Sequence, residues 1–157
     1  MSDGTLGTYL NDHLAGSVGA VELLERAIRE NEGDPIAGRL EGILAEIRQD
    51  QAVLQELIQQ VGAAESPLKK AGAWLAEKAG RVKLGATDEP RDLSRLEVLE
   101  MLTMGIRGKQ ALWRALRTVA GKYPPLSGLD FDRLEHRAVE QHDRVEALRL
   151  EAARDAL

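Results

Sequence analysis

Four long segments of this chain space their apolar residues alternately three and four apart, and each is bounded by glycine or proline. That spacing winds one apolar stripe along an α-helix and leaves the remaining faces polar. The first segment runs from about Leu6 to Asn31, with Asp3 or Thr5 as its cap and Gly33 after its end. The second runs from Pro35 to Val61: Asp34-Pro35 is a capping residue followed by a first-turn proline, and Gly62 is the stop. The third runs from about Asp92 to Ala120. Ser94 and Glu97 can form a capping box there, with Asp92 competing as the cap. Gly121 and Pro124-Pro125 end it. The last runs from about Asp130 to Ala156. Each segment is roughly 27 residues, about 40 Å as a helix.

Short loops join the first segment to the second and the third to the fourth, which makes antiparallel neighbours. About 30 residues separate the second from the third, enough to travel the length of such a helix. This stretch holds a shorter helical pattern from Ser66-Pro67 to Ala79, in which Leu68, Ala71, Trp74 and Leu75 share a face. Gly80, Gly85 and Pro90 break it. Trp74 either fastens this crossover onto the bundle or supplies a dimer contact. The expectation is an all-α chain forming one domain over residues 1–157: a four-helix bundle with a long, helix-containing crossover between helices 2 and 3.

The composition agrees and sets limits. Hydrophobic residues are 43% and charged residues 30% of the 157, a globular balance rather than a disordered one. Aromatics are only 3%, so the core must be built from Leu, Ile, Val and Ala, which suit helices. The net charge is −5 and no basic block stands out, which argues against nucleic acid as a partner. There are no cysteines, which excludes disulfides, thiolate nucleophiles and Cys-ligated zinc. Met1 to Leu10 lacks a signal-peptide pattern, and no stretch approaches the roughly 20 apolar residues of a membrane helix. A cytoplasmic location and no membrane partner are expected.

Each apolar series is interrupted near its middle by a polar residue. In the second helix it reads Ile36, Leu40, Ile43, Ile47, Asp50, Leu54, Leu57, Val61. In the third it reads Leu99, Leu102, Ile106, Lys109, Trp113, Leu116, Ala120. In the fourth it reads Phe131, Leu134, Ala138, Gln141, Val145, Leu148, Ala152. The first helix carries Ser17 on its stripe, with His13 and Tyr9 beside it. Helix midpoints fall in one layer of an antiparallel bundle. An isolated buried charge costs several kcal/mol, so these groups should find one another. The expected layer joins Asp50 to Lys109, with Gln141 and His13 completing the hydrogen bonds and Ser17 nearby. Two other readings stand: Lys109 snorkels outward along its stem, and His142 or Ala138 turns inward in place of Gln141.

On helix number and crossover, the chain resembles the ferritin-like superfamily over nearly its whole length. The resemblance implies a mid-bundle di-metal centre, with carboxylates from two helices and a Glu-x-x-His pair from each of the other two. That pair is missing: the residues three before His13, His136 and His142 are Leu10, Arg133 and Val139. The chain therefore reads as a divergent member without the di-iron ligand motif. Lys109 at the mid-layer would repel a divalent cation and neutralise Asp50 directly. The expectation is no cofactor. The alternative is an atypical iron or manganese site using His13, Glu46, Asp50, Glu100 and His142.

Four glycines inside helices, Gly16, Gly19, Gly105 and Gly108, need a reason, because each costs up to about 1 kcal/mol relative to alanine. One is close approach of the first and third helices. The other is a cavity beside Lys109, with Gly105, Gly108 and Trp113 as ligand contacts. Gly105 to Lys109 is no phosphate loop, lacking the spacing and the preceding strand. Three histidines, two of them on one helix, nominate no triad. His136, Glu140 and Asp143 form a polar stripe, and Glu146 and Arg149 a surface pair.

Three functional readings follow. The first is a metal-free, non-enzymatic ferritin-like module, expected as a homodimer, with its protein partner open. The second is a metalloenzyme using the atypical ligands. The third is a carrier of a small ligand held between helices.

Overall fold

The computed structural model describes residues 2–64 and 90–157, with the side chains of Ser2 and Asp3 left aside. Among the described residues the chain is all-helical, without strands. The described residues form four long helices: α1 (Ser2–Glu30), α2 (Pro35–Gln60), α3 (Arg91–Val119) and α4 (Phe131–Ala156). Two short 3-10 turns, Ala120–Lys122 and Pro124–Gly128, join α3 to α4. The segment from Ser66 to Ala79, Trp74 included, lies outside the described residues.

The helix ends show which local signals acted. The Asp34 carboxylate accepts the Ile36 backbone N–H at 3.0 Å, and Pro35 occupies the first turn. Asp130 caps α4 in the same way, accepting from Arg133 N–H at 3.0 Å. Gly33 and Gly62 follow α1 and α2 with φ of +85° and +71°, a conformation glycine adopts at little cost. Two expectations fail. α1 already begins at Ser2, so Thr5 lies inside it. α3 begins at Arg91 behind Pro90, with no side-chain cap, so Asp92 and Ser94 sit in its first turn and no capping box forms. Proline fixes a helix-compatible φ just ahead of Arg91.

Two buried apolar clusters fix the helix directions. One joins Leu6, Leu10 and Leu14 of α1 to Leu54 and Leu57 of α2, Leu112 and Leu116 of α3, and Phe131 and Leu134 of α4. The other joins Leu24 and Ala27 to Leu40 and Ile43, Leu99 and Leu102, and Val145 and Leu148. α1 and α4 therefore run one way and α2 and α3 the other. Each hairpin is antiparallel, while α2 and α3 are parallel, so that the end of α2 and the start of α3 lie at opposite ends of the bundle.

Polar locks hold the ends. The Asn11 amide donates to Gly7 O at 2.9 Å and to Ala64 O at 3.1 Å. At the other end Arg95 donates to the Asn31 side chain from Nε at 2.9 Å and to Asp34 at 3.2 Å. The backbone N–H of Ile36, followed by the Arg95 guanidinium, holds Asp34 below the usual carboxylate range. Among the described residues, no helix is long and apolar enough to cross a membrane.

Candidate functional site

The two apolar clusters stop short of each other, and the gap is polar. On α2 it falls between Ile47 and Leu54, on α3 between Ile106 and Leu112, and on α4 between Ala138 and Val145. Asp50, Lys109 and Gln141 occupy those intervals. Asp50 is 4% exposed and Gln141 fully buried. A carboxylate removed from water in this way must be matched by donors.

It is matched from two helices. Lys109 Nζ donates to Asp50 Oδ2 at 2.6 Å and also to the Gln141 carbonyl oxygen. Arg137 donates to Asp50 Oδ1. The Gln141 amide donates to Asp50 Oδ2 at 3.2 Å and to Glu46 Oε2 at 3.1 Å. Arg144 in turn donates to Glu46. The network holds two carboxylates, Glu46 and Asp50, among three cations: Lys109, Arg137 and Arg144. Burial pushes the Lys109 ammonium below its ordinary range, against the opposing pull of Asp50. The Arg144 hydrogen bond lowers Glu46, and Glu46 raises Arg144.

Lys109 does not snorkel away from this layer, and neither His142 nor Ala138 displaces Gln141. Two other expected members stand apart. Ser17 Oγ donates to Leu14 O at 2.7 Å and accepts from Gln51 at 3.0 Å. His13 packs edge-on against Tyr9, with ring centroids 4.8 Å apart, and does not complete the Asp50–Lys109 hydrogen bonds. The reason is register: the α1 seam is carried by Leu10, Leu14 and Leu24, which leaves His13 and Ser17 at its edge. Burial lowers His13 below its ordinary value, and the nearby Asp12 partly opposes this.

Arg137 and Arg144 were missed as members of the layer. A signal for both was present: they lie four before and three after Gln141, on the same helical face. Gln110, buried beside Lys109 and accepting from Arg107 at 2.9 Å, was missed as well.

The five atypical metal candidates do not converge. Glu46 and Asp50 are engaged by cations. Glu100, half exposed, accepts from Arg149 at 3.2 Å. His142 Nδ1 faces Asp143 at 3.3 Å, and His13 lies on α1 against Tyr9. Among the described residues, no three His, Asp or Glu side chains are grouped to hold an ion. The polar stripe is exposed, His136 lying 3.8 Å from Glu140. Arg149 clasps Glu146 at 2.7 Å.

Beside the layer a cleft of about 400 Å³ opens between α1 and α3 and reaches α2. Gly16, Gly105, Gly108 and Trp113 line it with His13 and Lys109. A Cβ added at any of these three glycines meets nothing within 4 Å among the described residues. They are therefore not points of close helix approach. The close approach falls instead at Gly7, where an added Cβ would lie 2.8 Å from the Cβ of Ala63, just past the end of α2. Gly19 is buried.

Compared with protein-family models, with curated proteins and with solved structures, the chain matches none of them.

Proposed function

We propose that this chain is a ferritin-like bundle that works without a metal centre and acts by binding rather than by catalysis. One observation carries the reading: Asp50 is held between Lys109 and Arg137 at the mid-bundle position. There the resemblance to ferritin-like proteins implies metal-ligating carboxylates. The ammonium and guanidinium groups supply the positive charge that a cation supplies in such a site. They also occupy the oxygens that a cation would need. The up-down-down-up order of the four helices supports the ferritin-like part of the reading.

The non-enzymatic part rests on how the polar groups are used. Glu46, Asp50 and Gln141 are engaged with one another or with cations, so neither carboxylate of the layer is paired with an imidazole to serve as an acid–base couple. His13, which lines the cleft against Tyr9, stands outside the layer. The test is elemental analysis of protein purified without chelators and again after incubation with ferrous or manganous salt. Less than a tenth of an equivalent of metal is the expected result. One or two equivalents of iron or manganese surviving gel filtration would overturn the proposal.

A further inference from the structure

We infer that the cleft between α1 and α3 binds a small, largely apolar molecule carrying one hydrogen-bond-accepting oxygen at its head: a carboxylate, carbonyl or hydroxyl. Four observations lead there. The cleft, at about 400 Å³, falls in the roughly 300–1,000 Å³ range of small-molecule sites. Its walls are mainly apolar, with Leu23, Leu54, Leu102 and Leu112 among them.

Lys109 brings a donor to this cleft. The Lys109 ammonium has three N–H groups. Asp50 and Gln141 take two of them, which leaves the third without an acceptor among the described residues. The indole N–H of Trp113 is closed off from solvent, so this residue lends the cleft its ring rather than its donor. At 15% side-chain exposure the Lys109 ammonium is open to water or to a ligand in the cleft. Water can satisfy donors but leaves the apolar walls wet. A molecule with an acceptor head and an apolar body satisfies both.

The fourth observation is the glycines. A helical glycine lowers stability, and Gly16, Gly105 and Gly108 bring no close helix approach in return. What they do is keep side chains out of the cleft from two of its walls. A ligand with a cationic head is a poor fit at Lys109, because it would set a like charge against the ammonium.

Titration of the full-length protein with decanoate, decanol and decylamine tests the site. Calorimetry reads affinity. The two indole N–H signals, assigned with the Trp74→Phe variant, read contact with Trp113. Decanoate and decanol are expected to saturate at one equivalent and to shift the Trp113 signal, with decylamine at least tenfold weaker. Gly108→Leu, and Gly16→Leu from the opposite wall, should abolish binding while the helical circular dichroism is retained. The inference is overturned if none of the three compounds saturates, if decylamine binds as well as decanol, or if either folded leucine variant keeps full affinity. Metal content is not read in any of these arms, so failure here and failure of the metal-free proposal are told apart.

Discussion

The two sides of Asp50 are built on opposite plans. Toward α4, the backbones of α2 and α4 approach one another little, and long charged side chains fill the interval: Asp50 with Arg137, Glu46 with Arg144, and Arg39 with Glu151 at 3.2 Å. These pairs step in opposite directions along two antiparallel helices. Toward α1, the same layer meets glycines and an open cleft. One flank is closed by charge and the other is left unfilled. The difference shows that an apolar seam can be interrupted in two ways, by groups that satisfy one another or by an absence of side chains. The first leaves nothing to bind, and the second leaves room.

The charged flank is the place for the largest expected effect. Asp50→Leu strands Lys109 and Arg137 together and should cost about 3–5 kcal/mol, the penalty of breaking a buried ion pair from one side. Lys109→Met should cost less, because Arg137 still holds Asp50 Oδ1. Adding Lys109→Met to Asp50→Leu should recover part of the loss, since one of the two stranded cations is removed. Urea denaturation of the three variants checks the order. If Lys109→Met alone is as damaging as Asp50→Leu, then Arg137 does not share the charge and the network reduces to a single pair.

The unfilled flank should respond with the opposite sign. Gly16→Ala, Gly105→Ala and Gly108→Ala each add a Cβ into open space and remove a flexible helical residue. Each should raise stability by up to about 1 kcal/mol. Gly7→Ala should lower it, because its Cβ would press on Ala63. Thermal unfolding of the four variants sharpens the contrast. A loss of stability at Gly16, Gly105 and Gly108 comparable to that at Gly7 would mean the cleft is filled in the folded protein.

Much of this was legible in the sequence, and the reasons are local. The seam of α4 from Phe131 to Ala152 is buried at each of its seven positions, Gln141 included. A period of three and four places residues on one face whatever packs against it. Asp34-Pro35 and Asp130 set helix starts through their own backbone neighbours. What was not legible depends on partners. Ser94 and Glu97 had the capping-box spacing, but the chain had already turned helical behind Pro90. His13 looked like a layer residue, yet helix rotation decides that, and the rotation of α1 is set by Leu10 and Leu14. Arg137 reads as a surface charge until α2 brings Asp50 opposite it. The glycines signalled that something was needed at four positions, but not whether it was contact or space.

The smallest effect distinguishes the flanks by pH. His13 stands on the cleft side, with its imidazole held below 6.5 by burial. The unfolded chain therefore takes up that proton first as pH falls. Stability is fully present above pH 6.5 and declines below it as the folded imidazole resists charging. Glu46 stands on the charged side, held below 4.5 chiefly by Arg144. Its contribution is fully present above pH 4.5 and is lost only as pH falls further, through its folded value. Acid unfolding should therefore come in two legs, a shallow one beginning near pH 6.5 and a second beginning near 4.5. His13→Gln should remove the first and keep the second. Glu46→Gln should weaken the second and keep the first. Both are measured as urea midpoint against pH. If His13→Gln leaves the decline between pH 6.5 and 4.5 unchanged, the imidazole is not withheld from water, and the cleft wall around it is open rather than a lined site.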